Sequence, residues 1–171
     1  MRQVWPFAIV LIAGVLIFLM DLYSLADPFW RELVLAVVSI SKSVWFVWFV
    51  IRRIRISTQH DFFFHEFMAF IGVSILLFVL SYAVDYYCLY QIRPNAFIGL
   101  PVKQNLLDDF ITFFYFSVTN FTTAGLGDIT PNTASARIFI ASELVISFFF
   151  TIFIIANLAM LRDSFARHEK N

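Results

Sequence analysis

The sequence predicts an all-α membrane protein with four spanning helices and one shorter, re-entrant helix. Hydrophobic residues make up 61% of the chain and charged residues only 14%. A soluble domain of this size would expose too much apolar surface to stay in solution, so we expect the chain to lie in a lipid bilayer. The apolar residues also gather into long runs, and a helix needs roughly 20 of them to cross a bilayer.

Four runs are long enough to span; two of them are interrupted once by a charge, and a third is uncharged as far as Asp85. They cover residues 4–20, 33–51, 67–90 and 138–161. Lys42 interrupts the second run and Glu143 the fourth, and a charge at membrane depth normally needs a partner. We expect Lys42 to pair with an acid on a neighbouring helix, of which Glu143 is one candidate, or to reach an interface. Cys88, the single cysteine, is expected to fill apolar space.

A fifth apolar run, residues 106–121, is too short to cross. Asn105 is a good N-cap for it, and Asp108 and Asp109 in the first turn suit the positive end of a helix dipole. A short aromatic helix between two spans is typical of a segment that enters the membrane and leaves on the same side.

Positive charges predict the orientation. Arg52, Arg53 and Arg55 follow the second span, and Arg162, Arg167 and Lys170 follow the fourth. Lysine and arginine favour the cytoplasmic side, so both clusters lie inside only if residues 106–121 return to the side that they entered from. We therefore expect a multi-pass cell-membrane protein with both termini in the cytoplasm. The alternative at the start is a cleaved signal peptide, because Ser24-Leu25-Ala26 follows an apolar core.

The stretch TTAGLGDITP, residues 122–131, has two glycines one residue apart. Glycine is the usual residue where the backbone is left-handed. Left-handed and right-handed residues in alternation turn successive carbonyl oxygens the same way, which favours glycine at every second position, here Gly125 and Gly127. Such a ladder can replace the hydration shell of a dehydrated monovalent cation. One chain supplies one side of such a site only, so several chains must surround an axis.

The residues around these glycines carry a family resemblance. Tyr115-Phe116-Ser117, then Thr122 to Asp128, then Pro131, resemble the pore helix and selectivity filter of the tetrameric potassium channels, whose pattern is Thr-Val-Gly-Tyr-Gly-Asp. The similarity continues through Thr133, Arg137, Glu143 and Leu144 and covers about residues 67–162. It implies a fourfold assembly, a homotetramer, with potassium ions as ligands and no organic cofactor.

The resemblance also implies roles for single residues. Potassium is expected to bind the filter segment (residues 123–127), whose members are Thr123, Ala124, Gly125, Leu126 and Gly127. The filter is expected to be supported by Tyr115, Phe116, Asp128 and Glu143. The cavity below it is expected to be lined by Phe148, Thr151, Ile155 and Ala159. Tyr115 is expected to donate a hydrogen bond to Asp128, and Glu143 to be hydrogen-bonded or protonated behind the filter.

Three positions depart from the family pattern. Ala124 stands where valine or isoleucine is usual, and Leu126 where tyrosine or phenylalanine is usual. In much of the family the filter tyrosine hydrogen-bonds an aromatic donor on the pore helix, and Phe116 stands at the position of that donor. Leu126 and Phe116 therefore favour an apolar packed layer over a hydrogen-bonded one. Ser147 stands where many relatives have a hinge glycine, which argues against a simple glycine-hinged gate.

The predicted organisation has four parts. Residues 1–56 hold two N-terminal spans, 57–66 an interfacial linker, 67–162 the pore domain, and 163–171 a short cytoplasmic tail. The arginines after the second span are wrongly spaced for a voltage sensor. No soluble regulatory domain is expected in this chain. The formal net charge of zero implies no attraction to nucleic acid, and the compactness of the chain suggests a prokaryotic source.

The predicted function is a potassium-selective channel through which ions flow passively. A weakly selective monovalent cation channel is the alternative, because Ala124 and Leu126 loosen the surroundings of the filter. A non-conducting regulatory membrane subunit is a further alternative. We do not expect an enzyme, because the sequence contains no nucleophile–base set and no metal cluster.

Overall fold

The computed structural model describes residues 28–57, 64–100 and 105–168 of the chain, with side chains at 30–52, 68–100 and 105–156. Within these ranges the elements follow in the order α1 (Pro28–Ser57), α2 (Phe64–Ile92), β1 (Phe97–Ile98), α3 (Leu106–Phe121), β2 (Thr130–Pro131) and α4 (Ala134–His168). The two short strands pair in an antiparallel manner. The fold is therefore helical, as the hydrophobic runs predict.

Three of the helices are long and apolar enough to cross a membrane. The candidate spans are Trp30–Arg52, Met68–Ile92 and Ala134–Ala156. They confirm the second, third and fourth predicted spans. The predicted first span, residues 4–20, and the signal-peptide alternative lie outside the described residues. Of the predicted linker, Ser57 ends α1 and Phe64 begins α2, while residues 58–63 lie outside the described part.

Helix α3 has the bounds that the sequence predicts. Asn105 is the N-cap: its backbone is extended, and its side chain accepts from the backbone N–H of Asp108 at 2.9 Å. This bond satisfies one of the N–H groups that a helix start leaves without a partner. At the other end, the N–H of Thr122 donates to the carbonyl of Val118 at 3.0 Å, and the helix stops there.

Aromatic rings hold α3 against α2. Phe113 and Phe116 are buried and turn inward from α3. Phe116 lies 5.1 Å from Tyr86 between ring centroids, and Phe113 lies 5.5 Å from Tyr90. Phe97 of β1 stacks edge-on or tilted against the same set, 5.5 Å from Phe113. Each such ring pair contributes about 0.5–1.5 kcal/mol beyond its buried area, so the cluster orients the short helix firmly.

Helices α1 and α2 pack side by side in opposite directions. Near the start of α1, Glu32 forms an ion pair with Arg93, which directly follows α2. Further along α1, Phe46 lies 5.8 Å from Phe78, which is earlier in α2. Later residues of one helix meet earlier residues of the other, so α1 and α2 are antiparallel.

A buried ion pair lies between these two helices. Lys42 Nζ is 2.5 Å from Asp85 Oδ1 and also donates to the carbonyl of Ser81 at 3.1 Å. Ser39 Oγ donates to the second oxygen of Asp85 at 2.5 Å. The prediction of an acid on a neighbouring helix is therefore confirmed, but Glu143 as that acid was wrong. Glu143 is already held by hydroxyl donors from α2 and α3.

Removing the lysine should destabilise the fold more than removing the pair. In Lys42→Met the carboxylate of Asp85 stays buried without its cation, and we expect the free energy of unfolding to fall by about 3 kcal/mol or more. The double variant Lys42→Met/Asp85→Leu should recover most of this loss. Thermal unfolding in detergent, followed by circular dichroism, measures both.

Ser74→Ala is the matched control, because Ser74 is buried on α2 and, among the described residues, bonds only the carbonyl of Phe70 in its own helix. A double variant as unstable as Lys42→Met alone would mean that the charges themselves are not the source of the effect.

Candidate functional site

The backbone after α3 alternates between conformations. Thr123, Gly125 and Gly127 have positive φ angles of 56°, 51° and 77°, while Ala124 and Leu126 between them do not. The alternation predicted at the two glycines is confirmed. It begins at Thr123, two residues before the first of these glycines. Thr123 is the only non-glycine residue with positive φ in the described ranges. A β-branched residue resists this conformation, so the backbone at Thr123 is strained.

The filter segment is exposed along its whole length. Residues 122–128 are all exposed. The amides of Ala124 and Gly125 donate back to the carbonyl of Thr119 at 2.9 and 3.4 Å. Across the described part of the chain, no carbonyl of residues 123–127 accepts a hydrogen bond. Five adjacent acceptors without partners are costly at membrane depth unless they face water or a ligand, so this segment is suited to binding a cation.

Tyr115 ties the far end of the segment back to α3. Its hydroxyl donates to Asp128 Oδ2 at 2.7 Å, which confirms the predicted bond. The pKa of Asp128 is lowered, first because of this hydrogen bond, with a smaller contribution from the backbone N–H of Ile129, 3.0 Å from Oδ1. The carboxylate therefore stays ionised, and remains an acceptor for Tyr115, at lower pH than an ordinary aspartate.

A second attachment, which sequence reasoning missed, comes from the chain after α2. Gly99 has φ of 89°, and a Cβ there would lie only 1.8 Å from the carbonyl oxygen of Asp128. The strands beside it pair Phe97 with Pro131 and Ile98 with Thr130. The backbone that follows the filter segment is thus pressed against β1, and only glycine fits at the point of closest approach.

Glu143 joins three helices from within. Its side chain is fully buried and accepts from Tyr86 Oη of α2 and Ser117 Oγ of α3, each at 2.5 Å. Ser117 also lies 3.0 Å from the carbonyl of Val79. The predicted hydrogen bonding of Glu143 is confirmed, but neither donor was predicted. Glu143 therefore fixes α3 relative to α2 and α4.

Phe116 and Leu126 lie in different surroundings. Phe116 is buried against Tyr86 and Phe97 of its own chain. Leu126, by contrast, is 64% exposed. An apolar layer around Leu126 therefore needs a surface from outside the described part of this chain.

Three of the four residues predicted to line a cavity lie on the exposed side of α4. Phe148 and Ile155 are exposed large hydrophobic residues, and Thr151 between them is exposed as well. The side chain of Ala159 lies outside the described side chains. Ser147, at the position of the family's hinge glycine, is fully buried within the helix packing. An apolar face of this kind must be covered by lipid or by other chains.

One known protein family matches the part of the chain that contains this site. The family model described as "Ion channel" matches residues 74–162, just over half of the chain. The chain belongs to the ion channel family. The match begins within α2 and ends within α4, so it includes the filter segment and every contact that supports it, and it leaves α1 of the channel outside. No curated protein and no solved structure matches the chain.

The contact at Gly99 predicts a sensitive position in the channel. In Gly99→Ala the new Cβ meets the Asp128 carbonyl in a backbone conformation that alanine resists, so the β1–β2 pairing must shift. We expect both ion flux in liposomes and thermal stability to fall. Gly72→Ala is the control, because Gly72 lies in α2 with open space around its missing Cβ, and alanine stabilises a helix by about 1 kcal/mol relative to glycine. Equal behaviour of the two variants would refute the close contact.

The bond between Tyr115 and Asp128 predicts a pH dependence. Because the pKa of Asp128 is lowered, the bond is present at neutral pH and is lost as pH falls through that lowered value. In Tyr115→Phe the main cause of the lowering is gone, so Asp128 should protonate at a higher pH. We expect less flux through Tyr115→Phe, and acid inhibition with a midpoint at higher pH than in the wild type.

The measurement is flux in liposomes buffered equally on both sides. Tyr90→Phe, whose hydroxyl bonds nothing in the described residues, should behave like the wild type. Identical pH profiles for Tyr115→Phe and the wild type would show that the bond does not matter.

Proposed function

We propose that this channel is potassium-selective and that its pore is formed by four copies of the chain around the filter segment. The observation that carries the proposal is the alternating backbone of residues 123–127, whose carbonyl oxygens have no partner in the described chain. Rings of backbone carbonyls are the ligands that replace the water around a dehydrated potassium ion. Potassium then flows passively down its electrochemical gradient, with no organic cofactor.

A stripe on α3 supports the homotetramer. Leu107, Ile111 and Tyr115 recur every fourth residue and are 68%, 61% and 39% exposed. Residues at this spacing share one helix face. A neighbouring copy that packs on this face would also cover Leu126 and complete the apolar layer that a single chain leaves open.

The remaining predicted residues take supporting roles in this proposal. Tyr115 and Asp128 hold the end of the filter, and Phe116 and Glu143 hold the pore helix, α3, from behind. The cavity on the opposite side of the filter from Asp128 is lined by Phe148, Thr151, Ile155 and Ala159. The protein lies in the cell membrane, with both termini in the cytoplasm.

A weakly selective cation channel is the second candidate, and one observation favours it. Ala124 and Leu126 are both exposed within one chain, so neither side chain braces the strand against its own subunit. A filter that is braced less tightly can adjust to a smaller ion, and selectivity depends on how the carbonyls are held. Reversal potentials in opposed potassium and sodium gradients separate the two candidates.

Purified protein in liposomes should pass potassium and be blocked by barium. We expect a reversal potential close to that of potassium, and loss of flux in Gly125→Ala, because the left-handed backbone there, with φ of 51°, resists a side chain even though the space is open. Gly72→Ala is again the control. Equal sodium and potassium permeability would favour the weakly selective channel, and no flux of any cation would favour a non-conducting subunit.

A further inference from the structure

One hydroxyl group connects all three spanning helices that the structure describes. Tyr82 of α2 is fully buried, and its Oη lies 3.1 Å from Ser43 Oγ of α1 and 3.2 Å from Ser142 Oγ of α4. Ser142 donates its own proton to the carbonyl of Phe139 at 2.7 Å. Because a serine hydroxyl has one proton, Ser142 accepts from Tyr82, which leaves the oxygen of Tyr82 free to accept from Ser43.

From Ser142 the path continues to the filter segment through short stretches of backbone and further hydrogen bonds. Ser142 directly precedes Glu143, which accepts from Ser117 of α3 at 2.5 Å. Two residues beyond Ser117, the carbonyl of Thr119 accepts the amide of Ala124 at 2.9 Å. We call Ser43, Tyr82, Ser142, Glu143 and Ser117 the relay. Its five residues run from α1, outside the family match, to the support of the filter.

The α1 end of the relay has two alternative bonds. Ser43 Oγ lies 2.8 Å from the carbonyl of Ser39 and 3.1 Å from Tyr82 Oη. Its single proton can serve only one of them fully, so the hydroxyl has a choice of two acceptors. One residue away, the Lys42–Asp85 pair holds α1 on α2. A small rotation of α1 about this anchor would shift the proton of Ser43 from one acceptor to the other.

We propose that α1 controls the pore and that Tyr82 is the positioning residue through which it acts. The proposal rests on the function proposed above. It assigns α1, the helix outside the family match, a role in controlling ion conduction. Side-chain hydrogen bonds inside a low-dielectric core strengthen one another, so the loss of a donor at Tyr82 changes the bond that it gives to Ser142. That bond orients the turn of α4 that carries Glu143, and Glu143 positions the helix that ends at the filter. The physical basis for such coupling is an element with two states, here Ser43, whose equilibrium affects both ends of the relay.

Single-channel recordings in lipid bilayers test the coupling. Ser43→Ala and Tyr82→Phe each remove one hydroxyl and keep the surrounding packing. We expect each to change the ratio of open to closed time by about two- to tenfold, the range for one neutral hydrogen bond. Because both act on the same bond, the double variant should match Tyr82→Phe alone. Ser43→Thr, which keeps the hydroxyl, should restore the wild-type ratio.

Two controls remove similar groups outside the relay: Ser74→Ala, buried on α2, and Tyr90→Phe on the same helix. Both should leave gating unchanged. Single effects that multiply in the double variant, or an unchanged ratio in Tyr82→Phe, would overturn the proposal.

Hydrogen exchange measured by mass spectrometry gives a readout that does not depend on ion flow. We expect the amides of residues 122–128 to exchange several-fold faster in Ser43→Ala and Tyr82→Phe than in wild type, and no faster in Ser74→Ala. If the protein passes no potassium but the filter amides respond in this way, the proposed function fails and the relay stands. If potassium flows but the filter amides do not respond, the relay fails and the proposed function stands.

Discussion

The structure depends on a backbone segment that cannot hold its own shape. Residues 123–127 alternate in conformation, include a strained threonine and leave their carbonyl oxygens without hydrogen-bond partners in the described chain. A regular helix or strand would be lower in energy, so the segment persists only because its surroundings leave it no alternative. The carbonyl of Thr119 holds its start, and Tyr115 and the close contact at Gly99 hold Asp128 at its end. The strained backbone of the filter segment is therefore kept in place by these contacts at its two ends.

Polar side chains on neighbouring helices provide the framework behind that support. Helix α1 carries Ser39, Lys42 and Ser43, and α2 carries Tyr82, Asp85 and Tyr86 with the same spacing. Each set lies on one helix face, and the two faces meet. Within a membrane, apolar packing alone discriminates weakly between helix arrangements, because lipid tails are as apolar as leucine side chains. Matched polar stripes therefore set the register in which α1 and α2 pack.

Local patterns account for what the sequence predicts correctly. The spans follow from hydrophobic runs, the start of α3 from Asn105, and the alternating backbone from glycines at every second position. The bond between Tyr115 and Asp128 follows from family resemblance, because its two residues are 13 positions apart and no local pattern joins them. In each case a short stretch of sequence, or a known motif, contains the whole signal.

Features that depend on distant parts of the chain were not predicted. The partner of Lys42 is 43 positions away, and in the sequence Asp85 is only the first charged residue of the third apolar run. The repeated spacing of polar residues on α1 and α2 was a signal that could have found it. Gly99 offered no comparable signal, because its role depends on the Asp128 carbonyl lying against it in the folded chain. Strands of two residues likewise have too little alternation to be recognised.

Helix α1 lies outside the family match, yet the polar contacts that bind it are among the most deeply buried in the described chain. A helix that merely surrounds a pore needs no lysine in its middle, since apolar side chains would pack there without the cost of removing charges from water. Ser39, Ser43 and Asp85 are all at most 2% exposed, so these groups are almost completely removed from water. A polar interface, unlike an apolar one, restricts α1 to the few rotations that give its buried donors and acceptors a partner. The hydroxyl of Tyr82 contacts Ser43 of α1 and Ser142 of α4. The orientation of α1 is therefore linked to the helix that carries Glu143.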